Sequence, residues 1–375
     1  MNNTKMNSRV VIRVDASVQI GIGHVMRCLT LANAISKMGA VVEFICRKHN
    51  GNLIELIRQK GFKVHELPNP SVNLVTDAKK FHVGYPDHIN WLGCSWQLDA
   101  EQCCEVINGK ADLLIVDHYS IDAQWERRMR KACHALMCID DLADRPHDCN
   151  ILLDQCLFRS CDDYKDLVFK DTEILAGSKY ALLRSEFSKF RDLSLSRREK
   201  PERKRILITM GGVDKDNVTG KILEALKNTK LKIEEIIVVL GPSSPWLRQV
   251  QISAQEIQIP TQILYAVDNM AELMARSDLA ISAGGSTTLE RFCLGLPSIT
   301  VAIAENQIPL IETITDKSLG YAVNSPAELA SLLPKVLNCN DVKFIKYISK
   351  KTSSLCDGNG TKRVLSSVKR ALSLV

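Results

Sequence analysis

Aromatic residues are scarce in this chain: Trp, Tyr and Phe make up 5% of its 375 residues. No basic block is interleaved with them, so the stacking surface used for single-stranded nucleic acids is missing. Neither sign of charge dominates, with 49 Lys and Arg against 43 Asp and Glu for a net charge of +6. That balance suits anionic small-molecule substrates and makes no demand for nucleic acid. No apolar run approaches the ~20 residues of a membrane span. The polar stretch Met1 to Ser8 lacks the apolar core of a signal peptide. None of the 13 cysteines stands in a C-x-x-C pair, which argues against a zinc ribbon. Their odd number and irregular spacing in a large chain point to reduced thiols and a cytoplasmic setting. The dinucleotide fingerprint G-x-G-x-x-G and a phosphate loop ending in Gly-Lys-Ser/Thr are also absent.

Apolar residues supply 45% of the chain, and its length suits about two domains of roughly 100–200 residues each. Short apolar runs alternate with segments of helical periodicity from end to end. In the first half the spacing predicts strands at Val10–Val14, Val41–Cys46, Leu113–Val116, Ala135–Ile139 and Ile151–Leu153. Helices are predicted there at His24–Met38, Leu53–Lys60, Asp99–Ile107 and Ala123–Lys131. The second half restarts the rhythm, with strands at Arg205–Met210, Ile236–Leu240, Gln262–Tyr265, Leu279–Ser282 and Ser298–Val301. Its helices fall at Asn217–Lys227, Met270–Arg276, Thr287–Leu294, Gln307–Lys317, Pro326–Leu337 and Thr361–Leu372. Such alternation builds a parallel sheet covered by helices. Between the halves, Ser185 to Arg205 is dense in charge and serine and carries Pro201, and it reads as an exposed linker. The expected fold class is α/β: two doubly wound Rossmann-like domains facing a cleft. Residues 1–190 form the first, residues 205–375 the second, and the charged linker spans 191–204.

Ligands of open α/β sheets bind outside the carboxyl ends of the strands, so residues there are the candidates for chemistry. The first strand gives way to Asp15 and then to Ile20-Gly21-Ile22-Gly23-His24-Val25-Met26-Arg27. Gly21 and Gly23 let the backbone approach a ligand closely. His24 falls at a helix N-terminus, where the partial positive charge disfavours imidazolium. A neutral histidine there could act as a general base on water, or donate to a phosphate or leaving group. A capping or core histidine is the plainer alternative. After the strand Leu113–Val116 comes Asp117-His118-Tyr119. Asp117 suits the orientation of a histidine or a sugar hydroxyl, and Tyr119 suits hydrogen-bond donation; a turn aspartate with two half-buried rings fits as well. Asp15 carries the same ambiguity. Asp140-Asp141 reads as a solvated turn and ranks below these.

In the second half, Gly211-Gly212 follow the first strand, and Gly284-Gly285-Ser286-Thr287 follow Leu279–Ser282 and open a helix. Backbone N–H groups and hydroxyls exposed there suit an anion. Glu290 could bind ribose hydroxyls, yet Thr287-Thr288-Leu289-Glu290 also fits a capping box. The amides of Asn306 and Gln307 suit a hydroxyl-rich ligand, with helix capping by Asn306 the alternative. Two glycine loops in one domain, opposite a histidine loop in the other, suggest a nucleoside diphosphate bridging the cleft.

At these residues the chain resembles the bacterial UDP-2,4-diacetamido-2,4,6-trideoxy-β-L-altropyranose hydrolases of pseudaminic acid biosynthesis. It is also similar to the related spore-coat polysaccharide proteins. The resemblance is carried by Ile20 to Cys28, Trp91-Leu92-Gly93, Val116 to Tyr119, Ile139-Asp140-Asp141 and Tyr180 to Phe187. It continues through Met210 to Asp214, Ser282 to Thr287 and Glu305-Asn306-Gln307. The resemblance implies the two-domain glycosyltransferase-B fold, shared with the UDP-GlcNAc transferase that makes lipid II. It implies a metal-independent hydrolase with no cofactor, acting on a UDP-sugar. His24 would be the base that draws a proton from water as the water attacks the anomeric carbon with inversion. Tyr119 matches an active-site tyrosine of the family, and Asp15 and Asp117 are expected beside them. Gly21, Gly23 and Arg27 are expected to meet the substrate. Gly211, Gly212, Gly284, Gly285, Ser286 and Thr287 match the UDP-binding side, Glu290 the ribose position, and Asn306 and Gln307 complete it. A UDP-sugar-dependent glycosyltransferase of the same fold is the alternative. A non-catalytic binding protein is disfavoured, since binding alone needs no base.

Overall fold

The computed structural model describes residues 8–69, 87–202, 204–227, 233–241, 244–338 and 341–373. The chain divides into two compact units, Met1–Leu183 with Asn359–Val375, and Arg184–Gly358. In chain order the first unit runs β1 (Arg9–Val14), α1 (Gly23–Ser36), β2 (Val41–Arg47), α2 (Ile54–Gln59), β3 (Lys63–Leu67) and α3 (Trp96–Ile107). It continues with β4 (Ala111–Asp117), α4 (Ala123–Met129), β5 (Cys133–Ile139), β6 (Ile151–Asp154) and β7 (Glu173–Ala176). The second unit opens with α5 (Ser185–Arg198), β8 (Arg205–Thr209), α6 (Val218–Lys227), β9 (Glu235–Leu240), α7 (Leu247–Gln255) and β10 (Thr261–Tyr265). There follow α8 (Met270–Arg276), β11 (Leu279–Ala283), α9 (Thr287–Cys293), β12 (Ser298–Val301) and α10 (Ile308–Asp316). β13 (Tyr321–Val323), α11 (Pro326–Asn338) and α12 (Val342–Leu355) close it, and α13 (Gly360–Ser373) returns to the first unit.

The first sheet has the order β3-β2-β1-β4-β5-β6-β7 with every pairing parallel. β1 lies in its middle and is apolar almost throughout because both of its faces are covered. Alternation sends Val10, Ile12 and Val14 into one core with α1 and α13, and Val11 into the other with α3 and α4. The order reverses between β1 and β4, where Val14 pairs with Asp117. Crevices for ligands open at such switch points. The second sheet, β10-β9-β8-β11-β12-β13, is also parallel and reverses between β8 and β11, where Thr209 pairs with Ser282. The two expected doubly wound α/β domains are therefore both present. No helix among the described residues is long and apolar enough to cross a membrane.

The expected boundaries differ from the observed ones. The segment expected as a linker at 191–204 is largely the helix α5, part of the second unit. Phe187 and Ser194 are fully buried in it. Arg191 donates to the carbonyls of Cys293, Ser353 and Cys356, and Ser194 Oγ to that of Leu294. The helix docks largely through side-chain bonds to backbone carbonyls, so no apolar stripe marks it. The second domain expected at 205–375 also ends too late. Val364, Val368 and Leu372 of α13 are buried in the core that holds Val10 and Ile12. Gly360 starts that helix hard against the first unit, where a Cβ would stand 2.3 Å from the Ala181 carbonyl oxygen.

Candidate active site

The loop that leaves β1 is folded by its own sequence. Ser17 Oγ accepts from the N–H groups of Gln19 and Ile20, the N–H of Gly21 returns to the Ser17 carbonyl, and Gly21 takes φ +78°. That turn aims the chain into α1 with His24 in its first turn. Asp117, the last residue of β4, faces it across the switch point. His24 Nδ1 lies 2.6 Å from Asp117 Oδ1. Arg27, one turn along α1, grips the same carboxylate through Nε and Nη2, both at 2.7 Å. Its Nη1 bonds both oxygens of Asp141 at 2.9 and 2.6 Å, and Tyr119 Oη donates to Asp141 at 2.7 Å. The Tyr119 ring meets the His24 ring edge-on with centroids 4.6 Å apart. Trp91 stacks on Tyr119 with ring centroids 5.8 Å apart.

Burial alone would raise the carboxyl of Asp117, but the Arg27 guanidinium and the His24 ring hold it far below the ordinary carboxylate range. Asp117 is thus an acceptor only. In neutral His24 the proton then sits on Nδ1 and the lone pair on Nε2. Arg27 Nη2, 3.3 Å from that Nδ1, spends its proton on Asp117. His24 Nε2 has no hydrogen-bond partner among the described residues and is not sealed from solvent. Burial first, then Asp141, pushes the Tyr119 phenol well above its ordinary value, so it remains a hydroxyl.

Asp15 is placed elsewhere. Its Oδ1 accepts from the Arg47 N–H at 2.7 Å and pairs with Arg13 at 2.7 Å. Its Oδ2 lies 3.5 Å from both His49 and His118. Burial opposes that charge and Arg13 more than restores it, well below the usual range. Asp15 is a buried brace of strand ends, and among the described residues it forms no hydrogen bond with His24. Asp141, ranked low from sequence, joins the site instead, while its neighbour Asp140 is buried against Arg145 and Tyr164.

In the second unit both glycine loops fall at the switch point. Gly211 takes φ +83° after β8, and Gly284-Gly285 follow β11. Gly285 is exposed, with open space where a Cβ would stand. Gln307 packs beside Gly284, and its Oε1 accepts from the Ile303 N–H at 3.0 Å. Asn306 lies in a single helical turn at Glu305–Gln307, and its side chain is outside the described residues. Ser286 and Thr287 flank the start of α9, where no side chain caps the helix. The capping-box alternative for Glu290 is thereby corrected, since its carboxyl makes no hydrogen bond among the described residues. Burial pushes that carboxyl up to about 7, against the pull of Arg184 and Arg291.

The chain is similar to several known proteins. Residues 205–341 match the glycosyltransferase family 28 C-terminal domain. The UDP-2,4-diacetamido-2,4,6-trideoxy-β-L-altropyranose hydrolase of Campylobacter jejuni is 28% identical over 84% of this chain and 98% of its own. The Bacillus subtilis spore coat polysaccharide biosynthesis protein SpsG is 27% identical over 52% of this chain and 57% of its own. The chain is similar to these two proteins along much of its length. MJ1062 of Methanocaldococcus jannaschii is 29% identical over 80% of this chain, which spans just 56% of that protein's length. MurG of Acinetobacter baumannii, 14% identical, superposes with a TM-score of 0.67 over 97% of this chain and 99% of its own. That likeness is one of fold, the glycosyltransferase-B arrangement expected from the sequence.

The sequence placed Asp141 too low and gave no sign of the bracing role of Arg27. One signal was available: Asp141 stands at the carboxyl end of β5, next but one to β1 in the sheet. Arg27 sits one helical turn after His24, the spacing at which two side chains share a face.

Proposed function

We propose that this enzyme releases UDP from UDP-2,4-diacetamido-2,4,6-trideoxy-β-L-altropyranose by hydrolysis, with His24 as general base. The chain is an enzyme of nucleotide-sugar chemistry; the hydrolytic step and the sugar are our reading. The observation that carries it is the chain Arg27–Asp117–His24, which fixes one tautomer and leaves Nε2 as a proton acceptor open to solvent. In the proposed step a water oxygen bonds to the anomeric carbon as the bond from that carbon to the UDP oxygen breaks. Nε2 takes the water proton, UDP leaves with the electron pair, and the anomeric configuration inverts. The Tyr119 hydroxyl, anchored on Asp141, lines the same spot. The relative from Campylobacter supports both reaction and sugar, and Glu290 with the two glycine loops supports UDP as the carrier.

A UDP-sugar-dependent transferase is the second reading, favoured by the family 28 match and the MurG-like fold. The two part on one assay. Purified protein is given the UDP-altropyranose with and without a lipid or peptide acceptor. The hydrolase reading expects UDP and free sugar in equal amounts without acceptor. UDP release that depends on acceptor would transfer the assignment to the second reading.

A further inference from the structure

Among the described residues, the fully buried arginines have carboxylates paired with them, with one exception. Arg13 and Arg47, both 0% exposed, share Asp99 at 2.7 and 2.6 Å. Arg291, also 0% exposed, forms no ion pair with a carboxylate among the described residues. Its guanidinium donates to Thr288 Oγ1 at 2.9 Å and to Thr300 Oγ1 at 3.4 Å, and its Nε has no partner. Its sequence neighbour Glu290 is a weak counter-charge, since burial pushes that carboxyl up to about 7. Leaving a cation buried and unpaired is costly in any fold.

The location gives the charge a use. Thr300 on β12 pairs with Ser282 on β11, two residues before Gly284. Thr300 Cγ2 would also lie 3.5 Å from a Cβ at Gly284, and the Thr288 N–H bonds the Gly285 carbonyl at 2.9 Å. The guanidinium therefore bonds two threonines that adjoin the glycine loop at the switch point. Above that loop Gly285 is exposed. An anion resting on Gly284–Thr287 would meet the field of a nearby cation through a poorly screening interior.

We propose that Arg291 is a positioning residue for a diphosphate: it fixes the Gly284–Thr287 loop and supplies the buried charge that an anionic ligand there balances. This rests on the UDP-sugar reading above and adds to it a source of selectivity for phosphate over an uncharged nucleoside.

The test compares UDP, uridine and inorganic pyrophosphate by calorimetry on the full chain. The wild type is expected to bind UDP more tightly than uridine and to be stabilised by pyrophosphate alone. Arg291→Gln keeps donors for the threonines but loses the charge. It should weaken UDP binding roughly tenfold or more, a loss of about 1.4 kcal/mol or more, with uridine affinity unchanged. Arg291→Lys should restore most of the UDP preference. Equal losses for UDP and uridine, or an unchanged UDP-to-uridine ratio, would overturn the proposal and leave the UDP-sugar reading standing. A wild type that binds no UDP would remove both. If Arg291→Gln does not fold, the pyrophosphate effect on the wild-type melting temperature decides, and its absence rejects the proposal.

Discussion

His24 is ordinary as a residue type and specific in its partners. A histidine in the first turn of a helix gains a defined proton position only through what holds Nδ1, and here that group is a carboxylate clamped by Arg27. His24→Ala is expected to lower the rate of UDP release by roughly 10²–10⁴-fold with little change in melting temperature. Near-normal turnover would take the base role away from this residue. Asp117→Asn replaces an obligate acceptor with an amide that can also donate, so both tautomers become available and Arg27 loses a counter-charge. Its turnover should fall at least tenfold at unchanged substrate affinity, read as kcat against KM. Glu290 gives a pH signature. Its folded carboxyl titrates at about 7 against an ordinary value of 4.5, so between those values the native state binds more protons than the unfolded one. Stability contributed by this group therefore falls as pH rises from about 4.5 to 7. Glu290→Gln should raise the melting temperature by a few degrees at pH 8 and not at pH 4.5. A gain of equal size at both pH values would show that the carboxyl is not perturbed.

The elements best foreseen are those whose burial is symmetrical. β1, β4, β5, β8 and β11 are inner strands, covered on both faces, and read as mostly apolar runs. The edge strands β3 and β13 escaped: Lys-Val-His-Glu-Leu mixes charge into its pattern, and Tyr321–Val323 is too short to carry one. α5 escaped because guanidinium and hydroxyl groups anchor it. The candidate site divides along the same line. His24, Asp117 and the glycine loops were legible because strand ends and glycines are local signals. Asp141 was visible but ranked low, because its partner Arg27 is 114 residues away in the chain. Arg13 marks the limit most sharply, a charge in a central strand whose partners are Asp15 after the same strand and Asp99 on α3. There Asp99 receives Arg13, Arg47 and the Trp125 indole N–H at 3.0 Å. Asp99→Asn leaves Arg47 without a carboxylate among the described residues and removes one of the two that Arg13 has, and should cost about 3–5 kcal/mol. Urea unfolding that moves by less than about 1 kcal/mol would mean that water, not Asp99, satisfies those guanidinium groups.

At the scale of the whole molecule, the chain builds its first unit from both of its ends. Residues up to Leu183 make the sheet and most of the helices, and Asn359–Val375 supply α13 after the second unit is complete. Val364, Val368 and Leu372 are each at most 6% exposed in the core that also holds Val10, Ile12 and α1. Burying three such side chains contributes about 5–9 kcal/mol, comparable with the whole stability of a domain. A chain ending at Gly358 should therefore lose the first unit selectively. Amides of β1 and β4 would exchange rapidly with solvent, while those of β8 and β11 keep their protection and UDP still binds. The His24–Asp117 pair would be lost with β4, so the truncated chain should bind nucleotide without turning over a UDP-sugar. Protected β1 amides in that chain would mean that α13 is an accessory to the first unit and not part of its core.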